Sequence, residues 1–338
     1  MNNYIKIIFV AVLFVTAISC SNRDEVFERE QYKNVFAIVS GDNNVYAMQH
    51  DYRLPVSAGY ISASLGGTNF CDKDIVITMV EDDAVLEAYN IGLYQEDRDR
   101  YVKALSKDKY YFEGYTMTIK AGTTTASLPV YVKPEGLSPD SVFYIPLRVD
   151  TYNAGELNMD KGYILYEVHT KNWWCTYNGT QYVSRGVSYE EGMVPVNLYV
   201  NKNLYPFGPA TIRMMPGTER EKDANEQYNY NAMAMMLEIS DNTTEYIIDD
   251  MVKNGSPVNI LPYGKLDIGM VSKDDPDYDP NYPNIAIACD DEGYHRTYKT
   301  LLLQYRFVDS RGRNLRITEE VRLGYIENPK DPRFFDNK

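Results

Sequence analysis

The sequence has 338 residues, 48 acidic against 34 basic side chains and a formal charge of −14. That balance argues against a nucleic-acid partner, since a phosphate backbone needs a basic face. With 44% hydrophobic and 24% charged residues the chain has a globular composition, and its length suits two domains of about 100–200 residues each. The 31 tyrosines against 2 tryptophans suit β-sheet faces and wet binding surfaces.

Residues 1–19 read as an export signal. Met1 to Lys6 is a short polar start, and Ile7 to Ile18 is apolar except for Thr16. That run is too short to span a bilayer, which takes about 20 residues. It ends Ala17-Ile18-Ser19-Cys20, which looks like a bacterial lipobox with Ala17 in place of the usual Leu. Cys20 is the expected lipidation site, so the membrane is a partner only through the anchor. Residues 20–30 then form a polar tether, and SNRDEVFERE partly resembles the acidic stretch after the lipidated cysteine of surface-exported Bacteroidetes lipoproteins. Outer-membrane localisation facing the exterior follows as an expectation. Cys71, Cys175 and Cys289 lack the close pairs of a zinc site and are expected to be buried thiols.

Period-two alternation dominates the remainder. Val35–Val39, Tyr60–Leu65 and Ile75–Val80 read as strands, as do the stretches carrying Tyr115, Met117, Ile119, then Leu128, Val130, Val132, then Phe143, Ile145, Leu147, Val149. About seven short strands before residue 170 predict an immunoglobulin-like β-sandwich over 31–169. Asp82–Asn90 interrupts it as a short helix, with an Asp to start it and Asn90 to end it, and a helical turn is expected near Arg98–Leu105. In 170–338, strands are expected at Val194–Val200, Ala210–Met214, Ala232–Ile239, Leu266–Val271 and Asn284–Cys289. A hairpin follows, with Leu301, Leu303, Tyr305 and Phe307 answered by Leu315, Ile317, Val321 and Leu323 across Ser310-Arg311-Gly312. The fold class is therefore all-β, with a C-terminal antiparallel β-barrel (lipocalin-like) or jelly-roll sandwich, which periodicity does not separate.

The order Val85-Leu86-Glu87-Ala88-Tyr89-Asn90, Leu105, Tyr110-Tyr111, Ile119-Lys120-Ala121-Gly122, Tyr144-Ile145-Pro146-Leu147-Arg148-Val149 resembles an N-terminal domain of Bacteroidetes outer-membrane lipoproteins. Tyr177-Asn178-Gly179-Thr180, Leu204-Tyr205-Pro206 and the closing hairpin resemble the β domain that follows it in such proteins. The resemblance implies a non-catalytic, SusE-like surface glycan-binding lipoprotein of a polysaccharide-utilisation system. The implied partners are an oligo- or polysaccharide and a SusC/SusD-like transporter complex. A fimbrillin-like structural or adhesive protein is the alternative, and a glycoside-active enzyme the second. No catalytic residue and no cofactor are expected.

A sugar needs flat aromatic faces beside amides, carboxylates or arginines. Trp173 and Trp174 are adjacent, and on a strand they point to opposite sides, one to the core and one outward. With Tyr177, Asn178 and Tyr182 they form the first candidate platform. Lys273–Pro283 carries Tyr278 and Tyr282 as a candidate rim. Its Asp275, Asp277, Asp279 and Asn281 alternate like calcium ligands; Pro280 and Ala286 stand where an EF-type loop needs Gly and Glu, so that motif fails and a calcium loop of another type stays open beside a solvated acidic loop. Glu319 falls on an apolar strand face opposite Leu303. It either faces a ligand in a barrel mouth or is turned outward by a bulge.

Overall fold

The computed structural model describes residues 34–67, 70–138, 141–220, 230–291 and 297–326. The predicted signal, Cys20 and the tether lie outside the described residues. The protein is all-β, and its backbone groups into two compact units. Among the described residues, one holds 34–48, 58–132 and 142–168, and the other holds 49–57, 133–138 and 141 together with those from 169 onward.

The strands up to residue 171 are β1 (Val35–Ile38), β2 (Val45–Asp51), β3 (Ser57–Gly66), β4 (Ile75–Glu81), β5 (Lys103–Ala104), β6 (Tyr110–Tyr111), β7 (Thr116–Ile119), β8 (Thr125–Val132), β9 (Phe143–Tyr152), β10 (Glu156–Leu157) and β11 (Tyr163–Lys171). They form two sheets in the orders β10-β1-β3-β8-β6 and β2-β11-β9-β4-β7. Alternation decides the inner rows: Ile61, Ala63 and Leu65 on β3, Leu128, Val130 and Val132 on β8, Ile75, Ile77 and Met79 on β4 are buried. Each of the Ile, Leu, Val and Met side chains among them contributes roughly 1.5–3 kcal/mol relative to exposure.

Helix α1 spans Asp83–Tyr94, longer than the sequence pattern suggests. Asp82 caps it, its Oδ1 accepting the Ala84 N–H at 3.0 Å. Asn90 does not end it. Its buried amide donates to the Val102 carbonyl at 3.0 Å and accepts the Val102 N–H at 2.9 Å, tying the helix to the chain that follows. The expected turn after it is a short 3-10 segment, Arg98–Arg100.

The second unit contains β12 (Thr180–Glu190), β13 (Val196–Pro206), β14 (Thr211–Met214), a short helix α2 (Tyr230–Met233), β15 (Met235–Ile239), β16 (Thr244–Ile248), β17 (Met251–Pro262), β18 (Ile268–Met270), β19 (Ile285–Asp291), β20 (Thr297–Val308) and β21 (Asn314–Ile326). The pairings run β12-β13-β14-β15-β17-β19-β20-β21 and return from β21 to β12, all antiparallel. That is an up-and-down barrel in sequence order, which decides against the jelly roll. β16 continues β15 along β17, the Ser240 N–H bonding the Pro257 carbonyl between them. Its interior is filled by Leu198, Leu204, Met214, Met235, Leu237, Leu301, Leu303, Phe307 and Ile317 among others.

Cys71 and Cys175 are buried as expected, but Cys289 is exposed. The register between β19 and β20 shifts between Ile287 and Asp290, and this irregularity takes Cys289 out of the buried row.

Gly186 stands directly across from Glu319 on β21. A β-carbon there would lie 2.0 Å from the Thr318 carbonyl oxygen and 2.7 Å from the Glu319 Cα, both fixed backbone. Gly186→Ala is expected to lower the unfolding free energy by on the order of 3 kcal/mol, because a central strand must move. Urea denaturation with a wild-type slope and a shifted midpoint is the expected readout; an unchanged midpoint would refute the close approach.

Candidate functional site

The tryptophan pair is not on a strand. The Asn172 side chain bends the chain, its Oδ1 accepting the N–H groups of Trp174 (2.9 Å) and Cys175 (3.0 Å) and its Nδ2 donating to the Gly208 and Thr211 carbonyls. Trp174 is buried in the barrel core, and Tyr182 is fully buried with its hydroxyl donating to the Trp174 carbonyl at 2.8 Å. Trp173 is half-buried with the Lys299 ammonium 4.5 Å and the Arg53 guanidinium 5.5 Å from its ring centroid. Lys299 also donates to the Trp173 carbonyl, and burial lowers its pKa to about 8 against the opposing influence of the Cys175 thiol. His169 stacks on Tyr177 at 3.9 Å, and Asn178 is exposed. These aromatic faces are thus engaged by the chain's own cations and imidazole rather than held open as a platform.

The acidic loop is likewise internally satisfied. Asp275 takes Arg306 in a two-pronged pair (2.5 and 2.9 Å), and Asp277 adds a contact at 2.7 Å. The Arg306 hydrogen bonds hold the Asp275 carboxyl down at about 2. Asp279 accepts the Asn281 N–H, and the Gln304 side chain bonds the backbone of Asp279 and Tyr282. Two of the four calcium-like positions therefore serve an arginine, and no cluster that could hold a metal ion occurs among the described residues. Tyr282 packs on Ile248, Ile285, Ile287 and Leu302, and Tyr278 is half-buried beside it in sequence.

Glu319 faces neither solvent nor a ligand. The hairpin is regular, Leu303 opposing Glu319 as the alternation requires, and the carboxylate is fully buried. It is paired instead: Lys202 Nζ lies 2.6 Å from Oε2, Ser184 donates at 2.6 Å and Tyr305 at 2.6 Å. The Tyr305 hydroxyl in turn accepts the Gly217 N–H at 2.7 Å. Burial pushes the Tyr305 phenol far up, with the Glu319 charge adding to it, and burial lowers Lys202 against the pull of Glu319. Periodicity placed Glu319 on the inner face; its partner Lys202, on a strand read only to Val200, was missed.

Gly217 leads to the cavities. β13 pairs with β14 only at Tyr205–Arg213 and Pro206–Ile212, and β14 stops at Met214. Met215–Arg220 follows, tied to the interior by the Gly217–Tyr305 bond, and clefts open around it. The larger, about 530 Å³, has apolar walls from Met193, Val196, Leu198 and Leu315, with Ser188, Asn197 and Thr218 as neutral polar groups. Its charges are a matched pair, Arg313 to Glu190 at 3.2 Å, with Arg313 oriented by Asp309 at 2.8 Å. The smaller, about 220 Å³, is polar, with Gln181, Asn201, Asn203, Glu219 and Arg220. At the lip of the larger cleft Met193, Val194 and Val196 stay 65%, 83% and 62% exposed, an apolar rim that the fold does not cover. Sequence alternation included Val194–Val200 but gave no sign that β13 would lack a β14 partner before Tyr205.

Removing one member of the buried pair leaves the other uncompensated. Lys202→Met is expected to cost about 3–5 kcal/mol in urea unfolding; a cost below about 1 kcal/mol would deny the pair its structural role. Burial also pushes the His50 imidazole down from 6.5 to about 4. The unfolded chain then binds more protons than the folded one between those values. His50 is stabilising above pH 6.5 in its neutral form, and up to about 3 kcal/mol of stability is lost as pH falls from 6.5 to 4. His50→Gln should flatten that part of the stability–pH curve.

One family model, of an N-terminal domain, matches residues 30–156, and another, of a C-terminal domain, matches residues 162–322. No curated protein matches the chain. Among solved structures, a Bacteroides ovatus protein of unknown function is 14% identical with a TM-score of 0.53, covering 91% of this chain and 96% of that one. A Bacteroides ovatus multidomain protein including DUF1735 is 16% identical with a TM-score of 0.51, covering 89% and 97%. An auxiliary nutrient binding protein from Bacteroides thetaiotaomicron is 12% identical with a TM-score of 0.47, covering 87% and 95%. At such identities the likeness is one of fold. The chain thus joins a match to an N-terminal-domain family to a match to a C-terminal-domain family, in an all-β fold shared with Bacteroides proteins.

Proposed function

We propose that this chain is a non-catalytic, lipid-anchored surface protein of the outer membrane that binds a glycan at the barrel rim, in a polysaccharide-utilisation system. The observation that carries the reading is the 530 Å³ cleft beside Met215–Arg220. Its volume falls in the roughly 300–1,000 Å³ range of small-ligand sites. Its apolar wall suits the C–H face of a pyranose, and Ser188, Asn197 and Thr218 suit hydroxyls. Arg313 is shared between Glu190 and Asp309, so no basic charge is left over to select an anion. Glycoside hydrolysis needs two carboxylates facing across about 5–9 Å. Glu190 is the one carboxylate among the described residues that line this cleft, and it is held by Arg313. That supports binding over hydrolysis. The lipobox at Cys20 supports the anchor, and a SusC/SusD-like complex is the transport partner in this reading.

Isothermal titration of the full chain against plant and host polysaccharides is expected to find a ligand that releases no reducing sugar. Val196→Arg, which places a charge at an exposed rim position, should weaken that ligand at least about tenfold without lowering the melting temperature. Silence across the panel, or an unchanged affinity in Val196→Arg, would defeat the barrel-rim reading. Fatty-acid labelling that persists in Cys20→Ala would defeat the anchor.

A further inference from the structure

The first unit carries a cavity that the barrel-rim reading does not use. It lies along one flank of α1 and has a volume of about 540 Å³. The opposite flank of the helix is fixed: Leu86 packs with Tyr144 and Leu165, and the Asn90 amide is bound twice to Val102. The free flank presents Ala84, Ala88 and Gly92, one turn apart, between the half-buried rings of Tyr89 and Tyr163. Gly92 is not required by the backbone or by packing. A methyl group added there would meet no heavy atom within 4 Å. A helix interior is a poor place for glycine without such a need, so the space above Gly92 is kept open at a cost to the helix.

The far wall is built with similar economy of motion. Asn43 and Asn44 both adopt left-handed backbone, with φ of 53° and 58°. Asn44 is buried, donating to the Asp160 carbonyl at 2.7 Å, and Lys161 Nζ donates to the Gly41 carbonyl at 2.8 Å. This anchored turn leaves the Asn43 amide exposed at the cavity. At the helix start Asp82 contributes a carboxylate. Its Oδ2 accepts from Arg148 Nε at 2.7 Å, and Arg148 stands directly across strands from Tyr163. The cavity therefore offers ring faces, a small-residue floor, one amide able to donate and accept, and a carboxylate whose arginine partner is shared with Asp150.

We propose that this cavity is a second binding site, taking one neutral pyranose unit of a saccharide. The C–H face of the ring lies on Ala84, Ala88 and the Tyr rings, and its hydroxyls bond Asn43 and Asp82. An anionic ligand is disfavoured because Arg148 is shared between Asp82 and Asp150, which leaves more acid than base beside the cavity. The site uses residues unrelated to the barrel cleft, so the first unit is a binder in its own right rather than a spacer.

The test is saturation-transfer NMR on the full chain with neutral gluco-, manno-, xylo- and galacto-oligosaccharides. Ala88→Phe fills the cavity from an exposed helix position, and Asn43→Gly removes the amide while relieving the left-handed backbone. Both should keep the wild-type melting temperature, and each should weaken a neutral oligosaccharide at least tenfold, with ligand still bound in Val196→Arg. Binding untouched by Ala88→Phe and Asn43→Gly, but lost in Val196→Arg, overturns this site and leaves the barrel reading standing. Binding lost only in the α1 variants does the reverse. No saturation transfer to any of the four series overturns the α1 proposal. If Ala88→Phe fails to fold, Asn43→Gly alone decides the outcome, since it relieves strain.

Discussion

A carboxylate sealed in a barrel is the constraint on which the second unit turns. Glu319 is fully buried, and its charge is met by Lys202, Ser184 and Tyr305. Those three come from three different strands, and each occupies the inner row of its own. A one-residue slip of β21 would send the carboxylate outward and turn every side chain of that strand to the opposite face. It would also move the Gly186 gap away from the backbone that needs it. The ion pair contributes little net stability over an apolar substitute, since desolvating two charges is costly. Its worth lies in excluding other registers. Through Tyr305 the same network holds Gly217, and with it the segment beside which the clefts open.

The fold class was legible because half-buried strands alternate, and β1, β3, β4, β8, β9 and the closing hairpin lie where alternation puts them. The strands that escaped did so for physical reasons. β12 carries Ser184 and Gly186 on its inner row, where the pattern demands bulk. β17 contains Gly255 and Pro257, which weaken any strand reading. The candidate site was less legible. Aromatic composition suggested platforms, but composition is silent on what lies over a ring. Trp173 and Trp174 look like an in–out pair only if the backbone is extended, and Asn172 bends it. The barrel-rim cleft exists because β13 and β14 pair at only two positions, and no local motif reports a pairing that stops.

The tyrosine surplus has a structural use that composition alone does not disclose. Arg213 lies 4.8 Å from the ring of Tyr263, Arg316 lies 3.9 Å from Tyr189, and Arg322 lies 4.6 Å from Tyr298. Several of these arginines also reach carboxylates: Arg322 approaches Asp290 and Glu320, and Arg316 sits 4.0 Å from Asp277. A guanidinium between a ring and an acid satisfies both its face and its edge. In this acidic chain the scarce cations therefore serve as rivets on the outer sheet surface. Rings held in this way are unavailable to a sugar, which narrows any binding surface to places where no arginine reaches.

The two compact units do not follow each other along the chain. Residues 49–57 and 133–141 group with the second unit although they are embedded in the sequence of the first. No single cut yields two complete pieces, and a gene fragment starting at residue 170 omits material that the second unit counts as its own. A fragment meant to hold the second unit whole therefore has to carry residues 49–57 and 133–141 as well.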